Sequence, residues 1–134
     1  MARVARARSE SGFYHVILKG NGRQVLFECN ADRLGFLELL SDSFREGGIT
    51  LLAWCLMDNH VHLLVEDTRE VLSSAMQKVA TTYALQYNTR SGHIGHVFQQ
   101  RFYSFPVEED SYLLEVMRYI HNNPDKAGVA PTAS

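Results

Sequence analysis

The chain has 134 residues, enough for one domain with its own core. Hydrophobic residues make up 46% and charged residues 21%, which excludes a disordered chain; no run approaches the roughly 20 apolar residues of a membrane span. The formal net charge is -2, so the chain as a whole is no polycation, yet Arg3, Arg6, Arg8, Lys19 and Arg23 crowd its first part.

In chain order, the chain reads as a single domain over 1–134 whose residues 1–10 form a flexible basic arm. A strand is expected from Phe13 to Leu18, ended by Gly20-Asn21-Gly22, with QVLFE as a short second extended piece. Asn30 or Asp32 can cap a helix running to about Glu46. Leu34, Leu37, Leu40 and Phe44 recur on it at helical spacing, and Gly47-Gly48 stops it. ITLLAWCLM and HVHLLVE are β-rich runs around an Asp58-Asn59 turn. A second helix is expected from Arg69 to Tyr87, with Leu72, Ala75, Met76, Val79 and Tyr83 as its buried stripe. SGHIGHVFQQRF reads as a loop and FYSFPVE as an edge strand, since Pro106 cannot serve a central ladder. A last helix opens at Asp110 or Ser111 and ends near Asn123, because Pro124 disfavours helix before it.

The order β-α-β-β-α-β-α predicts an α+β fold of the ferredoxin-like kind: a four-stranded antiparallel sheet, helices on one face, and a further C-terminal helix. Cys29 and Cys55 form no Cys-x-x-Cys pair, so reduced thiols and a cytoplasmic setting are expected. The N-terminus has no apolar core of signal-peptide length, and no membrane partner is expected.

His60 and His62 interrupt an apolar run. In a strand they share one face, with Val61 and Leu63 on the other, and their backbones lie about 6.6 Å apart. Two imidazoles at that separation can converge on one ion, at about 2.1 Å each for zinc. The plainer alternative is two histidines bonded to backbone or solvent. On the last helix, Tyr119 and Asn123 are four apart and share a face with Glu115 and Tyr112. A tyrosine beside a metal-polarised electrophile can act as a nucleophile; taken alone, Tyr119 reads first as an amphipathic residue at a core edge.

These residues sit in stretches that resemble the HUH single-tyrosine transposases, IS200-like proteins and the REP-associated tyrosine transposases in particular. His60-Val61-His62 is the His-hydrophobe-His element. SESGFYHVILKGNGRQVLFE resembles the family's opening strand and basic turn, and TTYALQYNTRSGHIGHVFQQRFYS its second helix and glycine-aromatic loop. YLLEVMRYIHNNPDKAG resembles its terminal helix. The resemblance spans roughly residues 9 to 128. It implies metal-dependent nicking and rejoining of single-stranded DNA beside hairpins, with a divalent ion, Mg²⁺ or Mn²⁺. Tyr119 would attack the scissile phosphate to give a 5′-phosphotyrosine. His60 and His62 would hold the ion, with Asn123 as third ligand where relatives often have glutamine; His121 and Asp58 are lesser candidates. Tyr87, four residues from Tyr83, competes for the nucleophile's role.

DNA contacts are expected from Lys19, Asn21, Arg23, Arg90, Gln99 and Arg101, and stacking faces from Phe98, Phe102 and Tyr103 unless the phenylalanines belong to the core. A homodimer is a possible assembly. Two other readings remain open: a non-catalytic hairpin-binding module, and a His-x-His hydrolase in which Glu66, a strand length from His60, would have to contribute.

Overall fold

The computed structural model describes residues 8–99, 102–108, 115, 118, 119 and 127–129. Alternation of apolar and polar side chains builds the first strand, β1 (Phe13–Lys19), with Tyr14, Val16 and Leu18 buried beneath the helices. The helix α1 (Asn30–Gly47) follows, then β2 (Thr50–Leu56), β3 (His60–Glu66) and α2 (Leu72–Ser91). The strand β4 (Tyr103–Pro106) and a three-residue β5 (Ala127–Val129) complete the sheet. Its order is β4-β1-β3-β2-β5, and every pairing is antiparallel. The first four strands have the ferredoxin-like arrangement expected from the sequence. The fifth pairs with β2, Trp54 opposite Gly128, and was not foreseen.

Both helices cover one face, where Phe36, Leu40 and Phe44 of α1 and Met76, Val79 and Tyr83 of α2 meet Val16, Val61, Leu63 and Val65. Ser43 Oγ donates to the Ala75 carbonyl at 3.0 Å and pins the helices together. Helix α1 ends at Gly48, whose φ of 71° is a left-handed cap that glycine adopts without strain.

Several boundaries differ from expectation. QVLFE forms no strand; Leu26 and Phe27 are instead plugged into the core from an irregular segment, with Leu26 N–H donating to the Asp58 carbonyl. The N-cap of α1 is Cys29, which makes no side-chain cap. Asp32 lies buried in the first turn and accepts the Glu28 N–H at 2.8 Å. Leu34 is 62% exposed, because the buried stripe of α1 runs through Phe36, Leu40 and Ser43-Phe44. Helix α2 starts at Leu72 because Asp67 holds the backbone of Arg69 and Val71 in a preceding turn, and it continues past Tyr87 to Ser91.

Of the N-terminal arm, Arg8 pairs with Glu70 at 3.2 Å and Ser9 is buried, its N–H donating to Tyr14 Oη. Of the last helix, Glu115, Arg118 and Tyr119 are helical; the expected ends at Asp110, Ser111 and Asn123 lie outside the described residues. Among the described residues no helix is long and apolar enough to cross a membrane.

Candidate active site

The sheet face away from the helices carries the site. Strand β3 pairs with β1 so that His60 stands opposite Lys19 and His62 opposite Ile17. Val61 and Leu63 point into the core and are fully buried, so alternation leaves both half-buried histidines on the open face. Their ring centroids are 4.9 Å apart and nearly perpendicular.

Each imidazole is held at one nitrogen. His60 Nδ1 lies 2.8 Å from Asn59 Oδ1, and an amide oxygen can only accept, so Nδ1 carries the proton. His62 Nδ1 lies 3.0 Å from Nε2 of His15, whose ring stacks on it at 5.2 Å. Among the described residues neither His60 nor His62 has a hydrogen bond at Nε2. His15 was not singled out in the sequence; it lies one register step from His62 and becomes visible once β1 is aligned on β3.

Tyr119 completes the group. Its ring centroid lies 4.8 Å from that of His62, tilted by 55°. The other described tyrosines of the helix-side core are differently engaged. Tyr83 is buried and donates to the Leu26 carbonyl, Tyr87 is buried and donates to Glu28, and Tyr14 accepts from Ser9. Tyr119 is 38% exposed. Tyr112 lies outside the described residues.

Electrostatics favour neutral rings. Burial, then the charges of His15, His60 and Lys19, lower His62 to about 4. Burial and then Lys19 lower His60, and burial lowers His15. At neutral pH all three imidazoles therefore offer lone pairs, the form that binds a metal. Burial, then Cys55, raises the Tyr119 phenol above its ordinary 10.0, so it is protonated at rest.

This donor set fits part of a metal site. Two neutral imidazoles, each fixed at Nδ1, present Nε2 in the manner of metal-ligating histidines. Among the described residues no group of three or more His, Cys, Asp or Glu side chains could hold an ion. Asn123 and His121 lie outside the described residues. Asp58 is paired with Arg33 at 3.1 Å, and Glu66 sits at the far end of β3 opposite Phe13.

The expected DNA contacts separate into two places. Lys19 is exposed at the end of β1, its Nζ 5.4 Å over the Tyr103 ring. Gln99 N–H donates to the Lys19 carbonyl, and Asn21 N–H to that of Val97, which joins the 20–23 turn to the 97–99 segment. Arg23 is exposed in that turn. Gly20 is needed there, since a Cβ would come within 2.6 Å of the Gln24 carbonyl. Arg90, by contrast, belongs to the helical layer: its guanidinium pairs with buried Asp32 at 3.1 Å and lies 5.2 Å over Tyr87. Arg101 lies outside the described residues. Phe102 is buried and Phe98 packs on the core against Tyr83, so of the three expected stacking faces only Tyr103 is open. Phe105, also open, was missed.

Comparison with known proteins identifies the family and the fold. The family model described as Transposase IS200 like matches residues 9–123. Comparison with curated protein sequences finds no match. Among solved structures, a REP-associated tyrosine transposase bound to a REP hairpin superposes with a TM-score of 0.71 and 16% identity, over 93% of this chain and 73% of that one. A candidate transposase of Deinococcus radiodurans R1 superposes with a TM-score of 0.60 and 22% identity, over 91% and 98%. At these identities the two structures establish a shared fold.

Proposed function

The chain belongs to the IS200-like transposase family, and from that premise we propose that it nicks and rejoins single-stranded DNA beside hairpins through a 5′-phosphotyrosine on Tyr119. The observation that carries this reading is the Tyr119 ring packed 4.8 Å from His62, with His60 and His62 presenting neutral Nε2 atoms on the same open face. A hairpin substrate is in keeping with the hairpin-bound transposase of the same fold.

Tyr119 Oη forms a bond to the scissile phosphorus as the bond from phosphorus to the 3′ oxygen breaks. The phenol proton leaves to solvent and the 3′ oxygen takes one up. The reverse reaction, attack of a 3′-OH on the phosphotyrosine, joins strands and returns the tyrosine, so no nucleotide cofactor is consumed. His60 and His62, with Asn123, would hold a divalent ion, Mg²⁺ or Mn²⁺, which would supply positive charge for the developing phosphate charge. With His62 protonated at Nδ1, His15 Nε2 would accept from it and leave the His62 Nε2 lone pair available to a metal. Lys19, Asn21, Arg23 and Gln99 lie along the approach for backbone contacts; Arg101 is proposed with them, and Arg90 chiefly as the partner of Asp32. Cys29 and Cys55, neither in a disulfide, suit a reducing cytoplasm. A homodimer is part of the reading; a monomeric mass by light scattering at high concentration removes it.

The deciding experiment incubates labelled hairpin DNA carrying a single-stranded foot with protein and Mn²⁺, then runs a denaturing gel. A protein-linked band that needs the ion and is lost in Tyr119→Phe is expected. A band that survives in Tyr119→Phe but not in Tyr87→Phe reassigns the nucleophile. Binding without linkage across a broad hairpin library turns the reading to a non-catalytic hairpin-binding module.

A further inference from the structure

Strand β4 lies on the outer edge of the sheet beside β1, and its register places Tyr103 opposite Ile17 and Phe105 opposite His15. Both aromatics therefore stand on the face that carries the histidines. They are 43% and 42% exposed, unusual for two large rings on one four-residue strand whose neighbour Phe102 is buried. Phe105 lies 6.4 Å from the His15 ring, which stacks on His62, which in turn meets Tyr119. At the other end of the ledge, Lys19 Nζ stands 5.4 Å from the centre of the Tyr103 ring. An unbroken path of rings thus runs from the sheet edge to the candidate nucleophile, with a cation beside it.

We infer that Tyr103 and Phe105 form a stacking subsite for unpaired bases of the strand that crosses the active site, resting on the single-strand reading above. Aromatic faces interleaved with a cation are what unpaired bases and their phosphates require, and stacking tolerates any base. Duplex bases are already stacked and cannot use such a ledge. The subsite would hold the nucleotides flanking the scissile phosphate while Lys19 meets the backbone. It also places single-strand selectivity on β4, apart from the turn at residues 20–23 and from the chemistry.

Neither ring is in the core, so truncation leaves folding intact, which a thermal melt verifies. The test measures anisotropy of a labelled oligothymidine and of a blunt duplex in EDTA, so that no cleavage intervenes. Tyr103→Ala and Phe105→Ala are each expected to weaken oligothymidine binding about five- to hundredfold. Duplex affinity and the salt slope should stay as in the wild type, and Phe105→Trp should restore binding. A 2-aminopurine placed beside the scissile position should lose its quenching in Phe105→Ala. Unchanged oligothymidine affinity in both alanine variants overturns the subsite while leaving the nicking reading in place. An equal loss for duplex overturns it as well. If the variants instead abolish self-association seen in the wild type, the ledge is a protein interface. A wild-type chain that binds no single strand and forms no adduct takes down both readings.

Discussion

Asp67 offers a quantitative test of how β3, and with it the histidine pair, is fixed to the helical layer. It follows β3 directly and is only 3% exposed. Its Oδ1 accepts the Arg69 N–H at 3.0 Å, and its Oδ2 accepts the N–H groups of Val71 and Leu72 at 2.9 Å each. Val71 is the N-cap of α2 and provides no side-chain cap, so Asp67 satisfies donors that a capping side chain usually would. A hydrogen bond to a charged group contributes about 1.5–3 kcal/mol. In Asp67→Ala, water can reach the Arg69 N–H on the surface, but the Leu72 N–H is buried and loses its partner. Full loss at one site and partial loss at two gives about 3 kcal/mol, within the range for a severed buried network. Unfolding entropy of about 2.1 cal/mol/K per residue, taken over 134 residues, converts this into a fall in Tm of about 10 °C. Urea unfolding should show a lower midpoint with unchanged slope. Asp67→Asn keeps one acceptor oxygen and should lose about half as much. A loss below about 1 kcal/mol in Asp67→Ala would refute the assignment of Asp67 as the anchor of α2.

Tyr83, pushed up to about 12 by burial and then by the Asp32 carboxylate, predicts an alkaline loss of stability. Below pH 10 the phenol is neutral in both states; above it only the unfolded chain ionises, so stability drops by about 1.4 kcal/mol per pH unit from pH 10 to 12. Denaturant melts across that range should show the drop, and Tyr83→Phe should make it shallower, leaving the smaller share of Tyr87 and Tyr119, also raised by burial. At the proposed metal site, imidazole donors suit Mn²⁺ better than the oxygen-seeking Mg²⁺, so electron paramagnetic resonance titration should find Mn²⁺ binding that excess Mg²⁺ displaces poorly. His15→Ala, which removes the partner of His62 Nδ1, should weaken that binding about 10- to 100-fold, with His15→Gln recovering part of it through its amide oxygen.

What was legible in the sequence follows from which patterns are local. Alternation in FYHVILK and HVHLLVE, the Asp58-Asn59 turn and the stripe of α2 need only neighbours along the chain, so the four-stranded order and the shared face of His60 and His62 could be read directly. Tyr119 stands out in the sequence by resemblance and spacing, and the structure brings its ring to His62. The unread features depend on pairing. His15 and Phe105 look like ordinary strand residues until the registers of β1 with β3 and β4 set His15 beside His62 and Phe105 beside His15. Strand β5 is Ala-Gly-Val, too short for any period. Arg90 reads as a free cation until the fold brings it to Asp32. Leu34 fitted a helical stripe equally well, but the stripe through Phe36 faces α2 and won.

The register that builds the site is held by the core on the opposite face. Val61, Leu63 and Val65 are fully buried against the helices, and full burial of such a side chain is worth about 1.5–3 kcal/mol. Sliding β3 by one residue would turn all three to the open face and drive His60 and His62 inward, where two unpaired imidazoles would add their desolvation cost. The alternative register is therefore disfavoured by several kcal/mol before any contact of the site is considered. The 57–60 turn, closed by the Met57 N–H to the His60 carbonyl at 2.9 Å, and Asp67 at the other end fix the strand's limits. The histidines thus need only local hydrogen bonds, from Asn59 and His15, to set their ring orientation. Substitutions on the open face can alter the candidate site without disturbing the frame, whereas a change at Val61 or Leu63 must act on both.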